Sequence, residues 1–389
     1  MTLVSSTELP KISKRLNLGV IGGGAGAFIG QVHANGARLS NRWNVVAGCL
    51  SSDKKKALLS GKNWMLDSDR IYTDFRSMAD QESKRIDGID AVVIATPNYL
   101  HYPIAKEFIK KGINIISDKP LCLNSKEAAD LLKLKKRYNV FYGVTYPYSA
   151  HPMVKQAKAM INKGLLGNLK QVHVEYFQEW ASEISDQGKN VPWRLKKKFN
   201  GPSFTTADIG THAFQMLSYV TGHKLKSLLA NFYVTGKPKK MEDTVFMHLN
   251  FSGNLPGTLM ASQTIIGHHC GINLRVAGDK GFIEWNQETP EHLTFSKFGQ
   301  PKQILTRGYG NYIEPEVLPF IRMPEGHPEA LTDAWANLYI SFAIAIDCLQ
   351  NNKNSKKIPY YPTIEEGVEG IRFVEAAIKS NKNKKWVHL

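Results

Sequence analysis

Short apolar runs alternate with amphipathic stretches along the first third of the chain. Residues 18–21 form a strand-like run ending in glycines, and 28–39 follow with helical spacing. A second strand over 45–50 leads to a helix around 53–61. Residues 91–95 read Ala-Val-Val-Ile-Ala, an uninterrupted apolar run of the kind buried on both faces of a parallel sheet. A helix over 101–111 stops at Gly112, a strand covers 113–117, a helix covers 125–138 with Ser125 as its N-cap, and a strand covers 140–144. This alternation predicts a doubly wound parallel sheet.

The pattern changes after residue 150. A helix over 152–163 precedes longer, partly alternating strands at 169–177, 227–234, 244–251, 257–262, 272–277 and 281–285, with one helix over 208–220 between the first two. Strands without intervening helices pair mostly antiparallel. Residues 304–330 read as irregular, and helices close the chain at 331–350 and 363–380. The fold class expected is therefore α/β. A Rossmann-type domain spans 16–148, and an α+β domain with a large antiparallel sheet spans 149–389, its closing helix packing back on the first. Few helices remain to cover the outer face of that second sheet. An uncovered apolar face there predicts a homo-oligomer, dimer or tetramer.

A length of 389 residues supports two domains. The four cysteines, Cys49, Cys122, Cys270 and Cys348, form no CxxC pair, which argues against a zinc ribbon, a disulfide framework or a dithiol centre. The first fifteen residues are polar and carry no apolar signal segment, and no run approaches the ~18 apolar residues of a membrane span. A reducing cytoplasm is the expected location. The net charge of +16 comes from short lysine runs without any RRM, KH or zinc-finger pattern, so a solvated basic surface is expected and no nucleic-acid partner.

Four motifs carry chemistry. Gly22, Gly24 and Ala27 fit G-x-G-x-x-[GA] between a strand and a helix, with Gly26 in the same turn. The first glycine permits the turn, the second lets backbone amides approach a pyrophosphate, and the third small residue lets helix and strand pack closely. The next strand ends in Ser51 and Ser52, then Asp53 and three lysines that include Lys56. Serine hydroxyls and a lysine suit a 2′-phosphate, whereas Asp53 suits ribose hydroxyls or simply caps the helix, so NAD and NADP both stay open. Thr96, Pro97, Asn98 and His101 follow the strand at 91–95, and Asp118, Lys119 and Pro120 follow the strand at 113–117. Both lie at the sheet edge where ligands bind, and the Lys-Pro bond permits a cis peptide. Asp208 and His212, four apart, share one face of a helix. A histidine there can take a hydroxyl proton as hydride leaves the neighbouring carbon. Taken alone, the pair also fits a metal-ligand or a capping reading.

In order and spacing, these motifs resemble the Gfo/Idh/MocA oxidoreductase family over about residues 16–389. The resemblance rests on the glycine turn, ATPNYLH at 95–101, DKP at 118–120, Gly164-Leu165-Leu166-Gly167, Trp193-Arg194, ADIGTHAFQML at 207–217 and the closing PTIEEGVEGIRFVEAAIKSNKNKKW. It implies an NAD(P)-dependent dehydrogenase that moves a hydride between nicotinamide and a secondary alcohol of a sugar, inositol or related polyol. Lys119, Asp208 and His212 would be the catalytic group: His212 as general acid/base, Lys119 positioning substrate and cofactor, Asp208 supporting them or holding a hydroxyl. The substrate would lie in the domain crevice among Lys119, Trp193, Arg194, Asp208 and His212, with no metal required. His327 and Glu329 are weaker candidates, better read as loop structure.

Three segments depart from the family pattern. Asp118 stands where Glu is usual, Asn200-Gly201-Pro202-Ser203-Phe204 replaces a triple glycine, and Thr145-Tyr146-Pro147-Tyr148 stands where Asn or Arg is common. Two alternatives share the scaffold: a non-enzymatic dinucleotide- or sugar-sensing regulator, and a glycosidase that uses NAD for transient oxidation. An intact proton-transfer set favours an enzyme.

Overall fold

The computed structural model describes residues 9–187, 191–308, 311–353 and 358–389. The polar lead-in expected over 1–15 thus falls outside the described residues as far as residue 8. The chain begins β1 (Leu16–Ile21), α1 (Ile29–Leu39), β2 (Trp43–Cys49), α2 (Lys54–Asn63), α3 (Phe75–Glu82), β3 (Ala91–Ile94), α4 (His101–Lys110), β4 (Asn114–Ser117), α5 (Ser125–Tyr138) and β5 (Tyr142–Val144). The five strands lie in the order β2-β1-β3-β4-β5, every pair parallel. Ile71 adds a single parallel bridge to Gly48 of β2. The strand order reverses between β1 and β3, and ligands of such sheets bind beyond the carboxyl ends at that point.

Two local expectations change. α3 was not anticipated; Asp74 starts it by accepting a hydrogen bond from the Ser77 amide at 2.8 Å. The N-cap of α5 is Asn124 rather than Ser125: its side chain accepts from the Glu127 amide at 3.0 Å, while the Glu127 carboxylate accepts from the Leu123 amide at 3.0 Å. This reciprocal arrangement satisfies the Glu127 amide, which the first turn of the helix leaves open, and the Leu123 amide just before the cap.

The chain continues with α6 (Pro152–Asn162), β6 (Leu169–Phe177), α7 (Lys197–Asn200), a π-helical turn (Thr206–Gly210), α8 (Thr211–Thr221), β7 (Leu225–Tyr233), β8 (Thr244–Phe251), β9 (Leu255–Ser262), β10 (Gly271–Gly278), β11 (Gly281–Asn286), β12 (His292–Lys297), β13 (Gln303–Thr306), α9 (Leu331–Gln350), α10 (Ile364–Asn383) and β14 (Val387–His388). Nine strands form one sheet in the order β13-β12-β11-β10-β6-β9-β8-β7-β14, antiparallel except where β6 meets β9. β12 extends this sheet beyond the last strand expected, and β13 carries it into the segment 304–330 expected to be irregular. Among the described residues, no helix is long and apolar enough to cross a membrane.

The chain divides into two compact units that interleave in sequence. One comprises Glu8–Pro147 with Leu331–Val368, and the other is centred on Tyr148–Ala330 with Glu369–Leu389. The segment that joins the parallel-sheet unit is thus α9 and the start of α10, not the closing helix as a whole. α9 packs on α1: a Cβ on Gly36 would lie 2.8 Å from the Trp335 Cβ, the Tyr339 hydroxyl lies 2.7 Å from His33 Nδ1, and Trp43 Nε1 donates to the Tyr339 carbonyl at 2.9 Å.

In the other unit, inward positions of the large sheet such as Val172, Val174, Leu259, Leu274 and Ile283 are buried. The outward face is not the apolar surface expected from the sequence. Arg275 bridges Glu284 at 2.7 Å and Glu175 at 3.2 Å, and His173 bonds Thr258 at 2.8 Å, beside Met260 and an exposed Phe246. Alternation puts polar side chains on the open face of an antiparallel sheet.

Candidate active site

β1 delivers the glycine turn to the carboxyl edge of the parallel sheet. Gly22 has φ +89°, and a Cβ there would lie 2.2 Å from the Ala95 carbonyl oxygen. A Cβ on Gly24 would lie 2.4 Å from the Leu50 carbonyl oxygen. Glycine is therefore required at both positions, by backbone conformation and contact at the first and by contact at the second. The third small residue of the fingerprint differs from expectation. Ala27 is exposed, and the close approach of helix to turn occurs at Gly30, whose Cβ would lie 2.4 Å from the Gly23 Cα. The sequence signal was present as a further glycine three residues past Ala27, in the first turn of α1.

These backbones line a groove of about 270 Å³ formed by Gly22, Gly24, Ala27, Ser51, Lys56, Thr96 and Pro97 with their neighbours. No acidic side chain stands in the first turn of α1, whose leading amides have no intrahelical acceptor. Cβ-free backbone, open helix amides and a lysine suit a dinucleotide pyrophosphate. Gly26 lies in the same turn at φ +86° with open space around it. Asp53 is the N-cap of α2, its Oδ1 accepting from the Lys56 amide at 2.8 Å, so one carboxylate oxygen serves the helix.

The two motifs after β3 and β4 are joined by His101. Its ring is fully buried, with Nε2 2.9 Å from the Thr96 carbonyl oxygen and Nδ1 2.8 Å from the Pro120 carbonyl oxygen. Burial pushes its pKa down, while the Asp118 charge and the two carbonyls oppose the shift. His101 thus bridges the two loops from a buried position. Asn98 is buried beside it, Asp118 accepts from the Thr145 hydroxyl at 2.8 Å, and the Lys119–Pro120 peptide is cis. Burial pushes the pKa of His33 on α1 down to about 4, against the pull of the Asp118 charge.

In the second unit, Asp208 and His212 do not lie on one continuous α-helical face. The segment Thr206–Gly210 is a π-turn and α8 begins only at Thr211. Such turns recur at functional sites because they re-aim a side chain within a helix. His212 is buried, with the ring of Tyr148 edge-on at 5.0 Å and that of Tyr176 at 6.3 Å. The two tyrosine hydroxyls lie 2.6 Å apart, and that of Tyr176 lies 3.1 Å from Cys270 Sγ. Burial pushes the Tyr148 and Tyr176 phenols upward, so both meet their surroundings as neutral hydroxyls.

Asp208 Oδ2 accepts a hydrogen bond from Gln263 Nε2 at 2.7 Å. Trp193 and Arg194 form a short turn nearby, with the Arg194 guanidinium 4.7 Å from the Trp193 ring and 5.9 Å from that of Trp180. Trp180 packs on Phe204 and donates to Gln178 Oε1 at 2.8 Å, while Gln263 Nε2 lies 3.5 Å from that same oxygen. Gln178, Gln263 and Tyr176 have nothing local in the sequence to distinguish them; Tyr148 stands there only in the segment that departs from the family pattern, and Cys270 only as one of four scattered cysteines. His327 and Glu329 are loop structure: His327 is exposed, and Glu329 accepts from buried Arg307 at 3.0 Å and from the Arg322 and Met323 amides.

Residues 16–146 match a family model described as "Oxidoreductase family, NAD-binding Rossmann fold", and residues 158–389 match its partner, "Oxidoreductase family, C-terminal alpha/beta domain". The chain is 33% identical, over 97% of each sequence, to "Uncharacterized oxidoreductase YfiI" of Bacillus subtilis. It is 26% identical to a levoglucosan dehydrogenase of Pseudarthrobacter phenanthrenivorans, over 72% of this chain and 76% of that one. Among solved structures, an inositol dehydrogenase homologue from Azotobacter vinelandii in complex with NAD+ superposes with a TM-score of 0.92 at 33% identity, covering 97% of this chain and 98% of that one. The same homologue with NADH and myo-inositol gives a TM-score of 0.89.

Proposed function

Because this chain belongs to the Gfo/Idh/MocA oxidoreductase family and carries its NAD-binding Rossmann domain, we propose that it oxidises or reduces a secondary alcohol of an inositol, sugar or related polyol. The observation that supports this reading most is the setting of His212: a buried imidazole against the rings of Tyr148 and Tyr176, just after the π-turn that carries the Asp208 carboxylate. Side chains rich in hydroxyl, amide and carboxylate groups match a ligand that is itself rich in hydroxyls.

A bound nicotinamide dinucleotide supplies the hydride acceptor or donor. Gly22, Gly24, Gly26 and the leading amides of α1 would hold its pyrophosphate, and Ser51, Lys56, Thr96 and Pro97 would line its groove. In the oxidising direction, neutral His212 takes the hydroxyl proton as the C–H hydride leaves, and the carbinol carbon becomes a carbonyl. In the reducing direction the imidazolium returns that proton. The Lys119 ammonium donates a charge-assisted hydrogen bond to the reacting oxygen and stabilises the negative charge that develops there. Asp208 accepts from a neighbouring substrate hydroxyl, and Trp193 and Arg194 flank the ligand.

We further propose a cytoplasmic homodimer or homotetramer joined through the open face of the nine-stranded sheet, where Met260 and exposed Phe246 lie beside the Arg275 ion pairs, with no nucleic-acid partner. The test of function is a panel of inositols and sugars, assayed with NAD+ and NADP+ for reduced cofactor and with product identification. myo-Inositol is the first compound to try, since the Azotobacter homologue was crystallised with it. Reduction of cofactor by one polyol supports the reading; hydrolysis of a glycoside without net reduction points to the glycosidase alternative, and binding without turnover to the sensor.

A further inference from the structure

Gln263 stands at the end of β9, fully buried, and no part of the reaction described so far uses it. Its amide is fixed in one orientation. Oε1 accepts the Thr205 hydroxyl at 2.8 Å, which turns Nε2 toward Asp208 Oδ2 at 2.7 Å. Its backbone is tied at both ends, the amide donating to the Asp243 carbonyl at 2.9 Å and the carbonyl accepting from the Ala181 amide at 2.9 Å. The π-turn that carries Asp208 is anchored independently by buried Glu242, which accepts from the Ser203 hydroxyl, the Phe204 amide, and both the amide and hydroxyl of Thr206.

From this geometry we infer that Gln263 is a positioning residue of the reaction: its amide donor fixes the orientation in which the Asp208 carboxylate meets the substrate as a hydrogen-bond acceptor. The inference rests on the proposed role of Asp208. A glutamine suits the task because its two ends are chemically distinct. With the oxygen taken by Thr205, only a donor can face Asp208, and a donor holds a carboxylate without competing for its charge.

Glutamate at 263 keeps the shape and reverses the chemistry. When protonated it donates its O–H to Asp208, as the amide does. When ionised it sets two carboxylates at contact distance, where they cannot both be charged without repulsion. Among the described residues, the titratable or charged groups packed in this region include His212 on α8, Tyr148 before α6, Glu242 and Asp243 just before β8, and Arg194 over Trp180; the substitution replaces none of them.

The experiment measures kcat/KM against pH for wild type, Gln263→Glu, Gln263→Leu and Asp208→Asn, with NAD+ and the most active polyol of the panel. Thermal melting and NAD+ affinity are followed in parallel. The ratio of Gln263→Glu to wild type should fall at least about tenfold from about pH 5.5 to about pH 8.5 as the shared proton is lost. Gln263→Leu should be low at every pH, so that Glu rescues relative to Leu only at the acid end, and NAD+ affinity should stay at the wild-type value in both. A pH-independent ratio for Gln263→Glu, or wild-type kcat/KM in Gln263→Leu, overturns the inference while leaving the role of Asp208 standing. Wild-type turnover in Asp208→Asn overturns that role itself, and the inference with it.

Discussion

Gly30 in the first turn of α1 lies so close to Gly23 that a Cβ on it would sit 2.4 Å from the Gly23 Cα. The contact is backbone against backbone, so no side chain can rotate away to relieve it. Gly30→Val should therefore displace the turn and cost about 1–3 kcal/mol, the usual penalty of overpacking. Chemical denaturation together with NAD+ titration checks this. Stability and affinity should fall together, whereas unchanged affinity would mean that the turn does not hold the cofactor.

Lys56 and Ser51 line the same groove, while Asp53 spends one oxygen on the α2 cap. Lys56→Glu should weaken NADP+ more than NAD+, because a 2′-phosphate would lose an attractive charge and gain a repulsive one. Calorimetric titration of both dinucleotides measures the difference, and equal effects would remove Lys56 from the 2′-phosphate position.

Buried histidines make stability depend on pH. Burial pushes His33 from 6.5 down to about 4 and His151 from 6.5 down to about 3. Between those values and 6.5 the unfolded chain binds protons that the folded chain refuses. The stabilisation is thus complete above about pH 6.5 and is lost as the pH falls toward 4, by up to about 3 kcal/mol per group. Denaturant midpoints should fall steadily from pH 7 to pH 4.5 in wild type and less steeply in His151→Gln; parallel profiles would remove His151 from the account.

The open sheet face carries the Glu175–Arg275–Glu284 ion pairs beside Met260 and Phe246. Light scattering at micromolar concentration should give a dimeric or tetrameric mass, with Arg275→Glu shifting it toward the monomer. A monomeric wild type would contradict assembly through this face.

The parallel sheet was legible because each strand is a short apolar run closed by glycine or by a polar turn, as at Ala91–Ile94. The glycine turn was legible for the same reason: its constraint lies in the local backbone. β12 and β13 were not, since His292–Lys297 and Gln303–Thr306 are short strands in polar, turn-rich sequence that continue one end of the sheet by pairing with their neighbours along the chain. The site divides along the same line. Lys119, Asp208 and His212 announce themselves in motifs, whereas Gln263 reaches Asp208 across 55 residues and His101 reaches Pro120 from a different strand end. Gly30 stands in the sequence too, but the G-x-G-x-x-[GA] spacing points to Ala27.

The proposed reaction depends on His212 exchanging the substrate proton. The measurement that tests it most directly is kcat of His212→Ala and wild type across pH, with the active polyol and NAD+ in excess. His212→Ala should lower kcat by about two to four powers of ten, with NAD+ affinity retained, and wild-type oxidation should rise with pH as the imidazole loses its proton. A His212→Ala enzyme that turns the polyol over near the wild-type rate, with the same pH profile, would contradict it.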